Sequence, residues 1–317
     1  MKRVLVGAMI VLMIATNIVS AAPQSYKILG EDRYDTARNV ADGYGDYDTA
    51  ILVNGDSVSD GLSASSLAGK EKAPILLCKK DKLPKATEKG LLKANRVFII
   101  GGYEAVSAEV ENSIIGKDII RLGGITRTET SEMVAEYLGD YNKAFIVNGF
   151  NGGADALSIA PVSARDSAPI ILTDGKTPGN PNPGTHNYVI GGKSAVSDKV
   201  KTAYKAKRIS GDDRYETNLK VLKEFYPHTN KLYCADGESL IDALTVSPLA
   251  KNHGVLLVSK TSDKRVLVGK QRIQVGGMGF EIVDLTDEDI YLQYINSPKV
   301  RNEAKSEFYR LLQKRKN

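Results

Sequence analysis

Gly30-Glu31-Asp32-Arg33-Tyr34-Asp35-Thr36 is written twice more, as Gly124-Ile125-Thr126-Arg127-Thr128-Glu129-Thr130 and Gly211-Asp212-Asp213-Arg214-Tyr215-Glu216-Thr217. Each copy keeps a glycine, an arginine three places on, then an acid and a threonine. The spacing is roughly 90 residues, too long for a solenoid repeat and about the size of a small domain. The residues downstream of each copy also repeat in a fixed order, so one unit is used three times.

Strand and helix patterns alternate within each unit. In the first, Ala50-Ile51-Leu52-Val53 ends at Asn54-Gly55, Asp60-Gly61-Leu62 opens a small-residue helix, and Pro74-Ile75-Leu76-Leu77 forms a second apolar run. A lysine-rich helix spans 85–93. Val97-Phe98-Ile99-Ile100 stops at Gly101-Gly102, and Ala105-Val106-Ser107 leads into a last helix. The second unit repeats this with Ala144–Val147, Asn148-Gly149, Asp155-Ala156-Leu157, Pro169–Leu172, Gly191-Gly192 and Ala195-Val196-Ser197, although Gly179-Asn180-Pro181-Asn182-Pro183-Gly184 replaces the lysine helix. The third has Leu232–Ala235, Asp236-Gly237, Asp242-Ala243-Leu244, Gly254–Val258 and Gly276-Gly277, but no Ala-Val-Ser. Strands that are apolar on both faces and alternate with helices predict parallel sheets covered by helices. The expected fold is therefore α/β, three small modules each with a three- or four-stranded parallel sheet. Boundaries are placed at 22–118, 119–206 and 207–277, the third unit shortened, with a tail at 278–317.

The 317 residues suit two or three domains, and the net charge of +5 is too modest to demand a polyanion. Tryptophan, the commonest sugar-stacking platform, is absent, which argues against a lectin-like aromatic shelf. Cys78 and Cys234 lack metal-ligand spacing and read as buried thiols. Lys2-Arg3, the apolar run from Val4 to Val19 and Ser20-Ala21-Ala22 read as an export leader over 1–21, cleaved after Ala21. The tail is acidic from Asp284 to Asp289, then basic, with Phe308, Leu311 and Leu312 on one prospective helical stripe.

The ordered set Gly-x-x-Arg-Tyr-x-Thr, Asn-Gly…Asp-Ala-Leu, Pro-Ile-Leu-Leu and Gly-Gly…Ala-Val-Ser, three times over Tyr26 to Gly277, resembles the cell wall binding repeat 2 family of Gram-positive surface proteins. The resemblance implies Rossmann-like modules in a pseudo-threefold disc that holds a secreted protein non-covalently to an anionic wall polymer, teichoic-acid-like or another secondary polysaccharide. It implies a cell wall or cell surface location, no cofactor, no nucleic-acid partner, and no membrane contact once the leader is removed. This chain departs from the pattern at Thr126 and Thr128 in the second unit, where Asp32 and Tyr34 stand in the first. It departs again at Ser210 and at His253-Gly254 in the third.

Arg33, Arg127 and Arg214 are the first candidates for ligand binding, because a guanidinium fork matches phosphate or carboxylate. Structural ion pairs, with Asp60, Asp155 and Asp242 or with a neighbouring module, explain them equally. Those three aspartates open helices and read as N-caps or as ligand contacts. Asn54, Asn148 and Asp236 end strands, where open α/β sheets bind ligands and where turn chemistry also favours them. Lys70, Lys72, Lys79, Lys80, Lys82, Lys85 and Lys89 form a basic run around one core strand. His186, His228 and His253 do not recur, no metal spacing occurs, and Gly-x-Gly-x-x-Gly is missing. The expectation is a binding protein rather than an enzyme, with a self-assembling surface-layer protein and a wall-glycan hydrolase as the alternatives.

Overall fold

The computed structural model describes residues 24–181, 186–298 and 300; the leader and the basic part of the tail, with Phe308, Leu311 and Leu312, lie outside them. The chain runs β1 (Tyr26–Ile28), α1 (Arg33–Asp42), β2 (Thr49–Asn54), α2 (Ala64–Lys70), β3 (Ile75–Cys78), α3 (Lys85–Leu91), β4 (Arg96–Ile100), α4 (Ala108–Ser113) and β5 (Asp118–Leu122). It continues through α5 (Arg127–Leu138), β6 (Lys143–Asn148), α6 (Gly153–Asp166), β7 (Ile170–Thr173), β8 (His186–Ile190), α7 (Asp198–Ala203) and β9 (Lys207–Ile209). The last part holds α8 (Arg214–Phe225), β10 (Lys231–Asp236), α9 (Ile241–Val246), β11 (Val255–Val258), β12 (Gln271–Val275) and α10 (Asp287–Ile295). The described part of the Gly-Pro loop, up to Pro181, is not helical.

Three four-stranded sheets result, in the orders β3-β2-β4-β5, β7-β6-β8-β9 and β11-β10-β12-β1, and every named pairing is parallel. The fourth strand of each sheet is the one that leads into a copy of the Gly-x-x-Arg motif. In the third sheet that strand is β1, from ahead of the first unit: Tyr26 pairs with Ile273 and Ile28 with Val275. The closure reproduces a bond made in the other two sheets. Gly276 N–H donates to the Ile28 carbonyl at 2.9 Å, as Gly101 does to Leu122 and Gly191 to Ile209. Among the described residues the third unit makes no fourth strand of its own after β12; residues 278–286 and α10 come next instead, α10 starting in a capping box of Thr286 and Asp289.

Alternate residues of the central strands serve different cores, as the two-residue period of a strand requires. Ile51, Val53, Phe98 and Ile100 face inward with Phe145, Val147 and Ile190 of the second module and Ile273 and Val275 of the third, in one continuous cluster. Leu52, Leu76, Val97 and Ile99 form a separate outer core in the first module, and Ile146, Ile171 and Val189 do so in the second. The Ala- and Ser-rich helices α2 and α6 meet at the centre, where small side chains let the backbones approach. A Cβ on Gly69 would lie 1.8 Å from the Ala164 carbonyl oxygen. Lys70 Nζ reaches across the same contact to the Tyr137 and Leu138 carbonyls at the end of α5, each at 3.1 Å. Cys78 and Cys234 are buried and unpaired.

Because the inner core is shared, the modules are expected to unfold together. Gly69→Ala should lower stability by about 1–3 kcal/mol despite alanine's better helix propensity, since the intruded atom is backbone. Urea unfolding of the variant should remain a single transition; an early, separate transition would show that one module stands alone.

Candidate functional site

Each residue of the repeated motif has an assigned task at the start of α1, α5 and α8. The glycine N–H donates to the threonine hydroxyl six residues on: Gly30 to Thr36 (3.0 Å), Gly124 to Thr130 (3.1 Å), Gly211 to Thr217 (2.9 Å). The next N–H donates to the motif acid, Asp35, Glu129 or Glu216. Asp32, Thr126 and Asp213 are the N-caps, accepting from free amides of the first turn. Only glycine fits at the first position: a Cβ on Gly30 would lie 2.4 Å from Thr36 N.

The arginine is then the first residue of the helix, and it reaches the turn after the first strand of its own module. Arg33 Nη1 donates to the Gly55 carbonyl at 2.5 Å, Arg127 to Gly149 at 2.8 Å and Arg214 to Gly237 at 2.9 Å. Asn54 and Asn148 shape these turns. Asn54 Oδ1 accepts from Asp56 and Ser57 N–H, and Nδ2 donates to the Ala105 carbonyl at 2.7 Å. Asn148 accepts from Phe150 and Asn151 and donates to Asp174 and to Ala195, so both amide hydrogens and both lone pairs are occupied. These side chains bridge the point where strand order reverses, between β2 and β4 and between β6 and β8, which is where α/β sheets commonly take ligands. Asp236 accepts from Glu238 and Ser239 N–H, and as a carboxylate has no hydrogen to donate. The third unit lacks Ala-Val-Ser, the segment whose carbonyl an asparagine would need.

Asp60, Asp155 and Asp242 do not cap helices, contrary to the reading of their position in sequence. Asp60 precedes a 3-10 turn at Gly61–Ser63 without a capping bond, whereas α6 and α9 begin upstream of Asp155 and Asp242 and carry them in their first turns. The carboxylates instead lie under the Gly-Gly turns of their own modules. A Cβ on Gly101 would be 3.2 Å from Asp60 Oδ2, on Gly191 2.5 Å from Asp155, and on Gly276 1.9 Å from Asp242. All three glycines have positive φ, so the close approach and the backbone each demand glycine.

Across each junction the carboxylate feels the arginine of the next module, in a closed cycle. Burial raises the Asp60 acid, while Thr130 and Arg127 pull it down. Burial pushes Asp155 up to about 6 against the pull of Arg214. Asp242 is also pushed up to about 6 by burial, against Arg33 and with help from Asp236. The three arginines differ in what sits beside them. Arg33 is 3.9 Å from Asp56 and Arg214 is 3.2 Å from Glu238. In the second module Phe150 takes the acid's place, and the Arg127 guanidinium stands 4.8 Å from its ring centroid. Among the described residues no carboxylate lies within 4.0 Å of Arg127. Between modules two and three the surface opens into a cleft of about 460 Å³, lined by Phe150, Asp155, Gly192, Asp213, Arg214 and Leu240 among others. The basic run is partly engaged, Lys70 as described and Lys80 with Glu104 at 2.8 Å. Among the described residues no group of three His, Cys, Asp or Glu could hold a metal ion.

The family model for cell wall binding domain 2 matches residues 27–111, 121–201 and 208–280, each span containing one strand–turn–arginine unit. The chain belongs to the cell wall binding domain 2 family. Two curated relatives are from Bacillus subtilis. The chain is 34% identical over 247 residues to the amidase enhancer, covering 74% of this chain and 35% of that protein. It is 29% identical over 297 residues to the N-acetylmuramoyl-L-alanine amidase LytC, covering 88% of this chain and 58% of that protein. Two solved structures from Clostridium difficile share the fold. Cwp6 matches with TM-score 0.76 at 28% identity, over 83% of this chain and 47% of that one. Cwp8 matches with TM-score 0.76 at 29% identity, over 86% and 51%. The chain thus spans about a third to under two thirds of these relatives. As a member of this family, it is built of three copies of a wall-binding module, which places its action at the cell wall or surface.

Sequence reasoning missed Phe150 in this domain, an exposed ring at a junction, although its position one residue after Gly149 aligns it with Asp56 and Glu238. It also missed the pairing of each helix aspartate with a Gly-Gly turn, which no local spacing signals.

The raised acids give a pH dependence of known sign. Unfolded aspartate titrates near 3.9, so protonated Asp155 and Asp242 contribute stability that is fully present below about pH 4 and lost as pH rises through about 6. Asp155→Asn is neutral throughout. Relative to wild type it should gain on the order of 1–3 kcal/mol between about pH 4.5 and about pH 7.5 in urea unfolding. A difference that does not change with pH would contradict this assignment.

Proposed function

We propose that the protein attaches non-covalently to the cell wall by binding an anionic secondary wall polymer along the strand carboxy-terminal ends, without catalysing a reaction on it. The observation that carries this reading is Arg127: its guanidinium is held by the Gly149 carbonyl, faces an aromatic ring, and has no carboxylate within ion-pair distance among the described residues. Planar donors held in this way suit phosphate or carboxylate oxygens. Arg33 and Arg214 occupy equivalent turns but have acids beside them, so the second module is the strongest anion contact. A repeating polymer that engages several junctions gains avidity without one strong site. Asp60, Asp155 and Asp242 act in this scheme by setting the field at each junction. Asn54, Asn148 and Asp236 act by fixing the turn that orients the arginine. Export through the 1–21 leader and the module limits 22–118, 119–206 and 207–277 belong to the same proposal.

Sedimentation with purified walls, before and after secondary polymers are stripped from peptidoglycan, tests it. Binding should fall on stripping and fall with rising salt, since charges are screened beyond about 10 Å at 0.1 M. Arg127→Ala should weaken retention more than Arg33→Ala or Arg214→Ala, with the fold intact. Equal binding of whole and stripped walls at all salt concentrations would overturn the polymer reading.

A further inference from the structure

Modules one and three fill the same space with a tyrosine ring. Tyr34 packs on Gly55, where a Cβ would lie 2.9 Å from the ring, and its hydroxyl donates to Asp56 at 2.8 Å. Tyr215 packs on Gly237, where a Cβ would lie 2.4 Å from the ring, and donates to Glu238 at 2.7 Å. Module two changes both partners, carrying Thr128 for the tyrosine and Phe150 for the acid. There the Arg127 stem, not a ring, faces Gly149.

What remains is a pocket of about 270 Å³ lined by Thr128, Glu132, Phe150, Leu172, Asp174 and Tyr204, among others. Its position is set by the register: Val147 pairs with Leu172 as Val53 pairs with Leu77, the residue beside the Tyr34 ring in module one. Its exposed apolar surface is the Phe150 ring, 56% exposed, with the fully buried Leu172 behind it. The surround is polar. Asp174 already accepts from Lys176 N–H, Thr177 N–H and the Thr177 hydroxyl, which hold its acid below the usual range and leave it ionised. A carboxylate has about four acceptor positions, so one remains for a ligand hydroxyl.

We propose that module two binds one neutral or amino-substituted pyranose residue of a wall glycan in this pocket, which lies beside the Arg127 stem where module two lacks the tyrosine ring of the sister modules. The face of a pyranose lies against Phe150, its hydroxyls donate to Asp174 and Glu132, and Thr128 is small enough to admit it. The two carboxylates disfavour an anionic sugar here; anionic groups of the same polymer go to Arg127, which shares Phe150 with the pocket. The glycan's source rests on the wall-binding reading, but the pocket's chemistry does not.

Saturation-transfer NMR on the full chain with glucose, galactose, N-acetylglucosamine and glucosamine at millimolar concentration tests this directly. Wild type should transfer saturation to the ring protons of at least one of them. Thr128→Tyr installs the residue that modules one and three carry and should abolish the transfer while the melting temperature holds. Phe150→Asp, also a sister-module residue, should do the same and stands in if the first variant misfolds. No transfer from wild type to any of the four sugars, or undiminished transfer in folded variants, would overturn the proposal. The assay uses no walls, so its failure leaves arginine-dependent sedimentation intact, and failure of that sedimentation leaves the sugar transfer to be read independently.

Discussion

The pairing of β1 with β12 is the contact on which the rest of the structure depends. A parallel sheet edge left open would expose unpaired amides and carbonyls. Each of the first two sheets covers its third strand with the strand running into the next module, and that short strand becomes the new edge. The third can do so only with a strand from ahead of the first. That pairing turns a linear array of three units into a ring. It also creates the third junction, bringing Arg33 into the field of Asp242 as Arg127 is in that of Asp60 and Arg214 in that of Asp155.

The ring then explains why the motif carries so many fixed residues. Asp32, Asp35 and Thr36 accept from amides at the start of a helix, Thr36 from that of Gly30, and the arginine is what projects from that start. The helix aspartates are held under positive-φ glycines at the other side of each junction. The motif residues are scaffold in their hydrogen bonds, and both sets bring ionisable side chains to the strand carboxy-terminal ends. Module two breaks the symmetry at two coupled positions, Thr128 and Phe150, and in doing so frees its arginine of an acid and opens a pocket. The departures from the repeat are therefore as informative as the repeat.

The central strands were legible in sequence because they are buried on both faces and so are apolar throughout. The edge strands β3, β7 and β11 were legible for the same reason, but the opposite edges β1, β5 and β9 were not. Tyr26–Ile28 and Lys207–Ile209 are three residues long, and Asp118–Leu122 carries Asp118 and Arg121 on its more open positions. Their identity as strands lies in backbone pairing, which leaves little hydrophobic signature. The arginines were legible as candidates, but their partner is a backbone carbonyl of an Asn-Gly or Asp-Gly turn, and side-chain chemistry cannot announce that. The helix aspartates misled because an acid before a small-residue helix is a common cap. Here the caps belong to other helices, and the acids serve turns 34 to 41 residues away in the chain, a separation set by the fold.

The central claim is that the junction arginines meet the polymer. Side-chain Nε–Hε NMR signals of the arginines, followed as soluble wall-polymer fragments are added, address it most directly. The account predicts that Arg127 shifts first, Arg33 and Arg214 come after it, and Arg96, which begins β4 at the opposite end of its sheet and pairs with Asp118, stays still. Shifts confined to Arg96 or to other arginines away from the junctions, with Arg127 unmoved at saturation, would contradict it.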